Sequence, residues 1–525
     1  MAGRNNWIAR WRDELVAGVA SGLLLALCFP PFPTRFLAGI ALVPLFRYYI
    51  ARPRPGIKRA IVLGFFVGVS FFTALLIWIL KLIPESGVTM PWILGPGLAL
   101  LVAYLSCYTA LFTLALSFLT GRLGPGALFA APALWSLVEF ARSHGELGFS
   151  WGMLGTALAI HPLAIQGAAV YGPFGLSLML VLANVCVAWA LFGGGRRARL
   201  AAASSFVALV LAHLLFGAVE IARFDREKVR LNGTGGVAVM QPNVDLGLKF
   251  ETSFRDSIFR QMERYSAEAS RHGASLIIFP ETAAPVSFKA TPQYLDRLEA
   301  DARGDAIDIL TGYVDHTVKN GEWIAHNAAA LISKDGELTG NYHKVNLLPF
   351  GEKMPWSQYF PALTRLDFGQ ANFVSGKEQT IFDSSVGRFG VLICFESSFS
   401  DFTRRYVRDG SDFLVNITND GWFGNNQGPF QHAEMAILRS VENRVTLFRA
   451  AYTGVSMIVD PVGRVCERID PFTEGMIYGT VERSARPTIY TRHGYAVFFL
   501  LAAANLVLAC VPPMLGGWGA AGRDV

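Results

Sequence analysis

An α-helical membrane bundle joined to an α/β layered domain is the fold class that the sequence predicts, and three observations predict it. The 525-residue chain is 52% hydrophobic and 16% charged, with a mean hydropathy of +0.37, too apolar and too charge-poor for a soluble domain of this length. The apolar surplus is uneven: long runs fill Glu14 to Ala222, composition falls to globular levels from Gly233 to Pro487, and one last run covers Tyr495 to Leu515. Within the globular stretch, short β-branched runs alternate with amphipathic ones, the pattern of strands and helices in layers.

Lipid offers no partner to an unpaired amide, so a spanning helix takes roughly 20 apolar residues. The sequence predicts about eight spans, at 14–30, 34–51, 60–81, 96–119, 125–142, 166–193, 200–221 and 494–515. The fifth carries Pro132 and Glu139 and fits least well. The first lacks a small-residue cleavage pattern and meets Pro30-Pro31, so it reads as a retained helix rather than a signal peptide. Arg4, Arg10 and Arg12, then Arg52, Arg54, Lys58 and Arg59, then Arg196, Arg197 and Arg199 flank alternate runs, whereas the opposite loops carry little beyond Arg35 and Lys81. By the positive-inside rule the basic loops are cytoplasmic. Seven helices (1–222) then place a domain at 223–493 on the far side, and 494–525 supplies a last helix and a short cytoplasmic tail. The net charge of +6 is an orientation signal and calls for no nucleic acid.

In the domain, strands are expected at 235–240, 275–279, 308–313, 328–332, 389–393, 413–417 and 455–459, with helices at 253–272, 293–302, 398–408 and 431–444. Functional groups in such sheets gather where strands end. Glu281 ends Ser275-Leu-Ile-Ile-Phe-Pro-Glu281, Cys394 ends Arg388-Phe-Gly-Val-Leu-Ile-Cys394, and Lys344 closes Tyr342-His-Lys344. A thiol at a strand-to-helix elbow sits near a helix N-terminus, and a nearby ammonium also favours thiolate. Taken singly, such a Cys is usually core filler and such a Glu or Lys usually solvated surface. Acid, base and thiol together are far more specific. Cys28, Cys107, Cys186 and Cys510 fall in apolar runs and read as small hydrophobic filler, while a disulfide between Cys394 and Cys466 stays open.

Phe-Pro-Glu281-Thr, Tyr-His-Lys344-Val-Asn-Leu-Leu-Pro-Phe-Gly-Glu352, Ile-Cys394-Phe-Glu396 and Asn416-Ile-Thr-Asn-Asp-Gly-Trp-Phe-Gly424 resemble the nitrilase, or carbon-nitrogen hydrolase, superfamily, whose Glu-Lys-Cys triad follows this order. The membrane frame is similar to that of the bacterial apolipoprotein N-acyltransferase family, over almost the whole chain. The resemblance implies a nitrilase-like α-β-β-α sandwich in which Glu281 is general base, Lys344 stabilises the oxyanion and Cys394 is nucleophile. It adds Glu352 as a supporting carboxylate, Glu396 as a positioning group and the Phe395 amide as a second oxyanion donor. Phe250, Trp422, Trp356 and Trp151 are implied to line the substrate path, with Met354-Pro-Trp356, Tyr359-Phe360 and Trp422-Phe423 at its mouth.

The same resemblance implies ping-pong transfer from a phospholipid, phosphatidylethanolamine, through a thioester to the amine of a diacylglyceryl apolipoprotein. No cofactor and no metal are implied. The protein is expected to be a monomer in the bacterial inner membrane, N-terminus cytoplasmic and catalytic domain periplasmic. Two positions depart from the family: Phe250 stands where tryptophan is common and Phe395 where tyrosine is common, so each keeps an aromatic face and loses a polar handle.

Three rivals remain. Gly148-Phe-Ser-Trp-Gly152 matches the Gly-x-Ser-x-Gly elbow, but it joins two apolar runs where that elbow needs a strand and a helix. Glu139 and His213 inside apolar runs would suit a transporter's polar pathway, although packing explains such residues as well. A membrane-tethered amidase for small amides is opposed only by the lipid-facing fusion.

Overall fold

The computed structural model describes residues 5–82, 91–231, 235–319, 321–357, 359–360, 362–363 and 372–510. The first part is helical: α1 (Asn5–Ala26), α2 (Val43–Ala51), α3 (Ile57–Leu76), α4 (Leu94–Leu123), α5 (Ala131–Arg142), α6 (Pro162–Ile165), α7 (Ala168–Phe192) and α8 (Arg196–Glu227). Among the described residues, Ile57–Lys81, Leu94–Leu123, Ala168–Phe192 and Arg196–Glu227 are long and apolar enough to cross a membrane. α3 packs between α1 and α4 because Gly64 and Gly68, one turn apart, leave no side chain: a Cβ there would strike Ala110, Thr109 and Ser106 of α4. Small residues at this spacing let helix backbones approach in lipid.

Of the remaining expected spans, α1 is an unbroken helix of 22 residues that carries Arg10, Arg12, Asp13 and Glu14 in its first half, and the others are shorter or broken. The run at 34–51 divides into a short 3-10 turn, Arg35–Gly39, and the nine residues of α2, which restart at Pro44. Its loose backbone groups are taken up by Asn184 of α7, whose Oδ1 accepts from Leu42 N at 2.7 Å and whose Nδ2 donates to Ala38 O at 2.8 Å. Irregular backbone at membrane depth persists only with such partners. The run at 125–142 divides likewise at Pro132, leaving twelve residues in α5. The last helix, α15, is described over Ala496–Cys510; the expected continuation to 515 lies outside the described residues.

Between α8 and α15 lies a four-layer α-β-β-α sandwich. One six-stranded sheet runs β13-β2-β3-β4-β5-β6 and the other β12-β11-β10-β9-β8-β7. The first contains β2 (Gly236–Gln241), β3 (Ala274–Ile278), β4 (Asp308–Lys319), β5 (Glu322–Ile332), β6 (Leu338–His343) and β13 (Gly475–Gly479). The second contains β7 (Ile381–Ser384), β8 (Gly387–Ile393), β9 (Phe413–Thr418), β10 (Leu447–Ala451), β11 (Ser456–Val459) and β12 (Val465–Ile469). A two-stranded ribbon, β1 (Val229–Arg230) with β14 (Glu482–Arg483), closes the chain ends of the domain. β2, β3 and β4 are parallel, as are β8, β9 and β10, so each sheet gathers strand C-termini at one end.

Val237, Val239, Leu276 and Ile278 share one buried core with Val391, Ile393, Val415 and Phe448 of the facing sheet. α10 (Arg255–Arg271) and α11 (Pro292–Asp305) cover the first sheet through Phe259, Met262 and Leu298. α12 (Ser400–Arg408) and α13 (Gly428–Asn443) cover the second, with Tyr406 seated over Gly390. Short α9 (Leu246–Lys249) and α14 (Ile489–His493) lie at loop ends. β6, β7, β10, β12 and β13 have no counterpart among the expected strands. Several are short or exposed at sheet edges, where the neighbour decides pairing more than the local pattern does.

Candidate active site

Glu281, Lys344 and Cys394 come from 114 residues of chain and two different sheets, and the fold brings all three together. Glu281 follows β3, Lys344 follows β6 and Cys394 follows β8, each past the end of its strand. The Glu281 turn fits only because Gly312 of β4 is bare: a Cβ there would lie 2.7 Å from Glu281 Cα.

The Glu281 carboxylate accepts from Asn419 N at 2.8 Å and from Asn327 Nδ2 at 2.7 Å. That same Asn327 nitrogen donates at 2.8 Å to Glu352, so one amide spans two carboxylates. Lys344 Nζ stands 2.8 Å from Glu352 and 3.8 Å from Glu281, with 1% of its side chain exposed. Burial alone would lower the Lys344 pKa, but Glu352 and then Glu281 outweigh it and hold the group above the ordinary lysine range. A permanent ammonium is therefore buried between two carboxylates, the condition under which a buried charge is tolerated. Glu352 is anchored in turn by Leu348 N at 2.8 Å.

Cys394 keeps some exposed surface yet is crowded enough that burial, and next the charge of Glu281, push its thiol above the ordinary range despite Lys344. This corrects the expected thiolate activation. The helix after Cys394 is a five-residue 3-10 turn, Cys394–Ser398, and the Lys344 charge is already engaged by Glu352. Burial and the Glu281 charge thus favour the neutral thiol over the thiolate. Cys394 occupies left-handed backbone at φ 52°. Cys394 and Cys466 are both free thiols.

Glu396 is wholly buried under this elbow. It accepts from Tyr342 Oη at 2.7 Å, Val345 N and Asn346 N at 2.9 Å, and Ile393 N at 2.8 Å. Burial pushes its pKa up to about 7. It thereby ties the Lys344 segment to the Cys394 segment, a positioning role. Phe395 is buried too, at 4% exposure, with its ring stacked toward Trp151 at 6.5 Å between centroids.

The other expected lining residues divide. Phe250 and Trp356 are 48% and 41% exposed, and Tyr359 and Phe360 are exposed beside Trp356, a solvent-facing aromatic surface on the Glu352 loop. Trp422 is half-buried on the turn Asp420–Phe423, but it is Phe423 that reaches the helical part, 4.8 Å from Trp78. Trp151 is 5% exposed and packed between Phe395, Phe423 and His432. Its indole N–H donates to Gln431 at 2.8 Å, which places it at the interface between the helical part and the sandwich.

Ser150, the serine of the Gly-x-Ser-x-Gly match, is buried in a loop pinned by Arg142, which donates to Phe149 O and Trp151 O; no strand precedes it. Glu139 accepts from Trp135 Nε1 and Leu154 N, and His213 contacts Ala164 O at 2.7 Å, so both serve packing. The residues missed from sequence are Asn327, mid-strand in β5, and the buried set Asp420, His432 and Arg449. Asp420 accepts from Arg449 Nη2 at 2.7 Å and pairs with His432 Nδ1 at 2.8 Å. Burial opposes its charge, but Arg449 and His432 hold its pKa at about 2. Asp420 lies in the quoted Asn-Asp-Gly-Trp stretch and its charge amid apolar residues was the available signal; Asn327 offered none.

Comparison with known proteins follows the same division. Residues 236–490 match the family model "Carbon-nitrogen hydrolase", and residues 21–186 match "Apolipoprotein N-acyltransferase N-terminal domain". The chain is 36% identical over 509 residues to the apolipoprotein N-acyltransferase of Geobacter metallireducens, covering 95% of each chain, and 31% identical to that of Allorhizobium ampelinum, covering 97% and 98%. Among solved structures, an amidase mutant from Nesterenkonia carrying a covalent adduct at its active-site cysteine is similar at 19% identity and a TM-score of 0.38, covering 52% of this chain and 98% of that one.

Proposed function

The chain belongs to the apolipoprotein N-acyltransferase family, and from that premise we propose that its acyl transfer runs through a thioester on Cys394, served by Glu281 and Lys344. The protein is an acyltransferase that N-acylates in lipoprotein maturation. The observation that carries the mechanism is the single cluster in which Lys344, Glu352, Asn327 and Glu281 converge beside a neutral thiol at a left-handed elbow.

Glu281 Oε accepts the Sγ proton as sulfur adds to the ester carbonyl of a phospholipid. The new oxyanion is stabilised by the Lys344 ammonium, with the Phe395 N–H as second donor. Collapse of the tetrahedral adduct breaks the C–O bond, and Glu281 returns its proton to the departing alkoxide, so a lysophospholipid leaves and the acyl chain stays on sulfur. The α-amine of a diacylglyceryl-cysteine then attacks the thioester. Glu281 takes the amine proton and passes it to the departing sulfur, which leaves an amide and the original thiol.

The neutral resting thiol suits this cycle. A permanent thiolate would be a poor acceptor for the returning proton, and a thiol protects the site between turnovers. The exposed aromatic surface of Trp356, Tyr359 and Phe360 supports an opening toward acyl chains. The apolar helices support a membrane setting, and the distribution of arginines supports an inner-membrane orientation with the sandwich in the periplasm. Phosphatidylethanolamine as donor, a diacylglyceryl apolipoprotein as acceptor and a monomeric enzyme belong to the same proposal.

The test is to incubate purified full-length protein with acyl-labelled phosphatidylethanolamine and map adducts by mass spectrometry. The expected result is one acyl group on Cys394, stable to water and discharged by a diacylglyceryl-cysteine peptide. Discharge by water alone at the same rate would make the protein a hydrolase. Full transfer by Cys394→Ala would overturn the mechanism.

A further inference from the structure

Cys394 sits at φ 52° without being glycine, a strained conformation that persists only where neighbours impose it. What imposes it here is α13, through two adjacent residues facing in different directions. His432 Nε2 lies 3.2 Å from the Cys394 carbonyl oxygen and 3.3 Å from the Ser397 hydroxyl, and that hydroxyl donates to the same carbonyl at 3.0 Å. On its other edge His432 Nδ1 pairs with Asp420, itself held by Arg449 and Thr418. Nδ1 faces the Asp420 carboxylate and carries the ring proton, so Nε2 is an acceptor. The single Ser397 hydroxyl proton is shared between that nitrogen and the Cys394 carbonyl, which couples the ring to the elbow through Ser397.

Gln431, one residue earlier, faces the helical bundle and has no spare valence. Its Oε1 accepts both indole N–H groups, Trp78 at 3.1 Å and Trp151 at 2.8 Å. Its Nε2 donates to Pro30 O at 3.1 Å and Leu75 O at 3.2 Å. One buried side chain thus collects three segments of the bundle, at Pro30, at Leu75 with Trp78, and at Trp151. Trp151 then stacks on the His432 ring at 5.5 Å between centroids, and Glu434, further along α13, pairs with Arg35 at 2.7 Å.

We propose that Gln431 and His432 act as a positioning pair through which the helical bundle fixes the Cys394 elbow, so that the bundle sets the nucleophile's geometry as well as holding the enzyme in lipid. The polar contacts of both side chains are to protein groups, which makes them positioning residues. The inference rests on the thioester mechanism for its kinetic readout, but its structural readout is independent of lipid.

The experiment uses full-length protein in detergent micelles, with Gln431→Met, His432→Ala, His432→Gln and the double variant Gln431→Met/His432→Ala. Each is measured for iodoacetamide alkylation of Cys394, single-turnover thioester formation, and thermal melting. Gln431→Met is expected to slow alkylation and thioester formation together, by roughly tenfold for the loss of a buried hydrogen-bonded hub, with kcat falling and KM for phospholipid unchanged. His432→Gln, whose amide can still reach Ser397 or the carbonyl, should recover a large part of what His432→Ala loses. The double variant should be little slower than His432→Ala, because the two residues act along one chain of contacts.

Wild-type rates in a folded Gln431→Met protein, or strictly additive losses in the double variant, would overturn the proposal. Should Gln431→Met fail to fold, Trp151→Phe removes one indole N–H, keeps the ring and must shift alkylation in the same direction. A wild-type protein that is alkylated normally but forms no thioester would sink the acyl-transfer mechanism while leaving the alkylation test of the elbow intact.

Discussion

Asn327→Leu is the sharpest single perturbation of the proposed acid-base machinery. In the native site one Asn327 nitrogen donates to Glu281 at 2.7 Å and to Glu352 at 2.8 Å, while its Oδ1 has no partner. The amide is therefore present for its two protons. Leucine has similar volume and neither donor. Glu281 keeps the Asn419 amide on its other oxygen, but the oxygen facing Lys344, at 3.8 Å, loses its only close donor. A hydrogen bond to a charged group contributes roughly 1.5–3 kcal/mol. The freed carboxylate can recover part of that by turning to Lys344, which takes the ammonium from the oxyanion position. A net loss of about 2–3 kcal/mol in the transition state corresponds to roughly 30- to 150-fold in rate.

The assay is single-turnover thioester formation with labelled phospholipid, followed by quench and mass spectrometry, alongside a melting curve. Asn327→Asp should do worse, because a third carboxylate would then compete for Lys344. A folded Asn327→Leu enzyme within about threefold of wild type would refute the claim that this amide aligns the base.

Other outcomes follow from the same geometry. Glu396→Ala strips the acceptor from four donors, Tyr342, Val345, Asn346 and Ile393, and should destabilise the domain by roughly 3 kcal/mol or more; an unchanged denaturation midpoint would count against it. The Cys394 thiol is raised above its ordinary 9.0 by burial and by Glu281, so its alkylation rate should keep climbing from pH 7 to pH 9, and a plateau near neutrality would show a thiolate instead. Asp420 is lowered from 3.8 to about 2, burial being outweighed by Arg449 and His432. Such a group stabilises the fold above its unfolded pKa and loses that contribution as pH falls from about 4 through 2, a change of about 2 kcal/mol. Asp420→Asn should flatten that window in acid denaturation, and an identical acid limb in the variant would contradict it.

The sequence by itself determined the composition split into membrane and layered parts and the strand-to-loop positions of Glu281 and Cys394, the positions from which the triad is proposed. These are local signals: apolar run length, period-two alternation, and reactive residue types where such runs stop. Only the tertiary structure decided that the run at 34–51 breaks, because Asn184 on a distant helix accepts and donates to its loose backbone. It alone decided that the thiol rests protonated, since density around Cys394 and the claim of Glu352 on Lys344 are sums over neighbours far apart in the chain. Asn327, Gln431 and His432 were silent for the same reason. An amide or imidazole takes its meaning from what faces it, and each of these faces groups supplied by segments that only folding brings together.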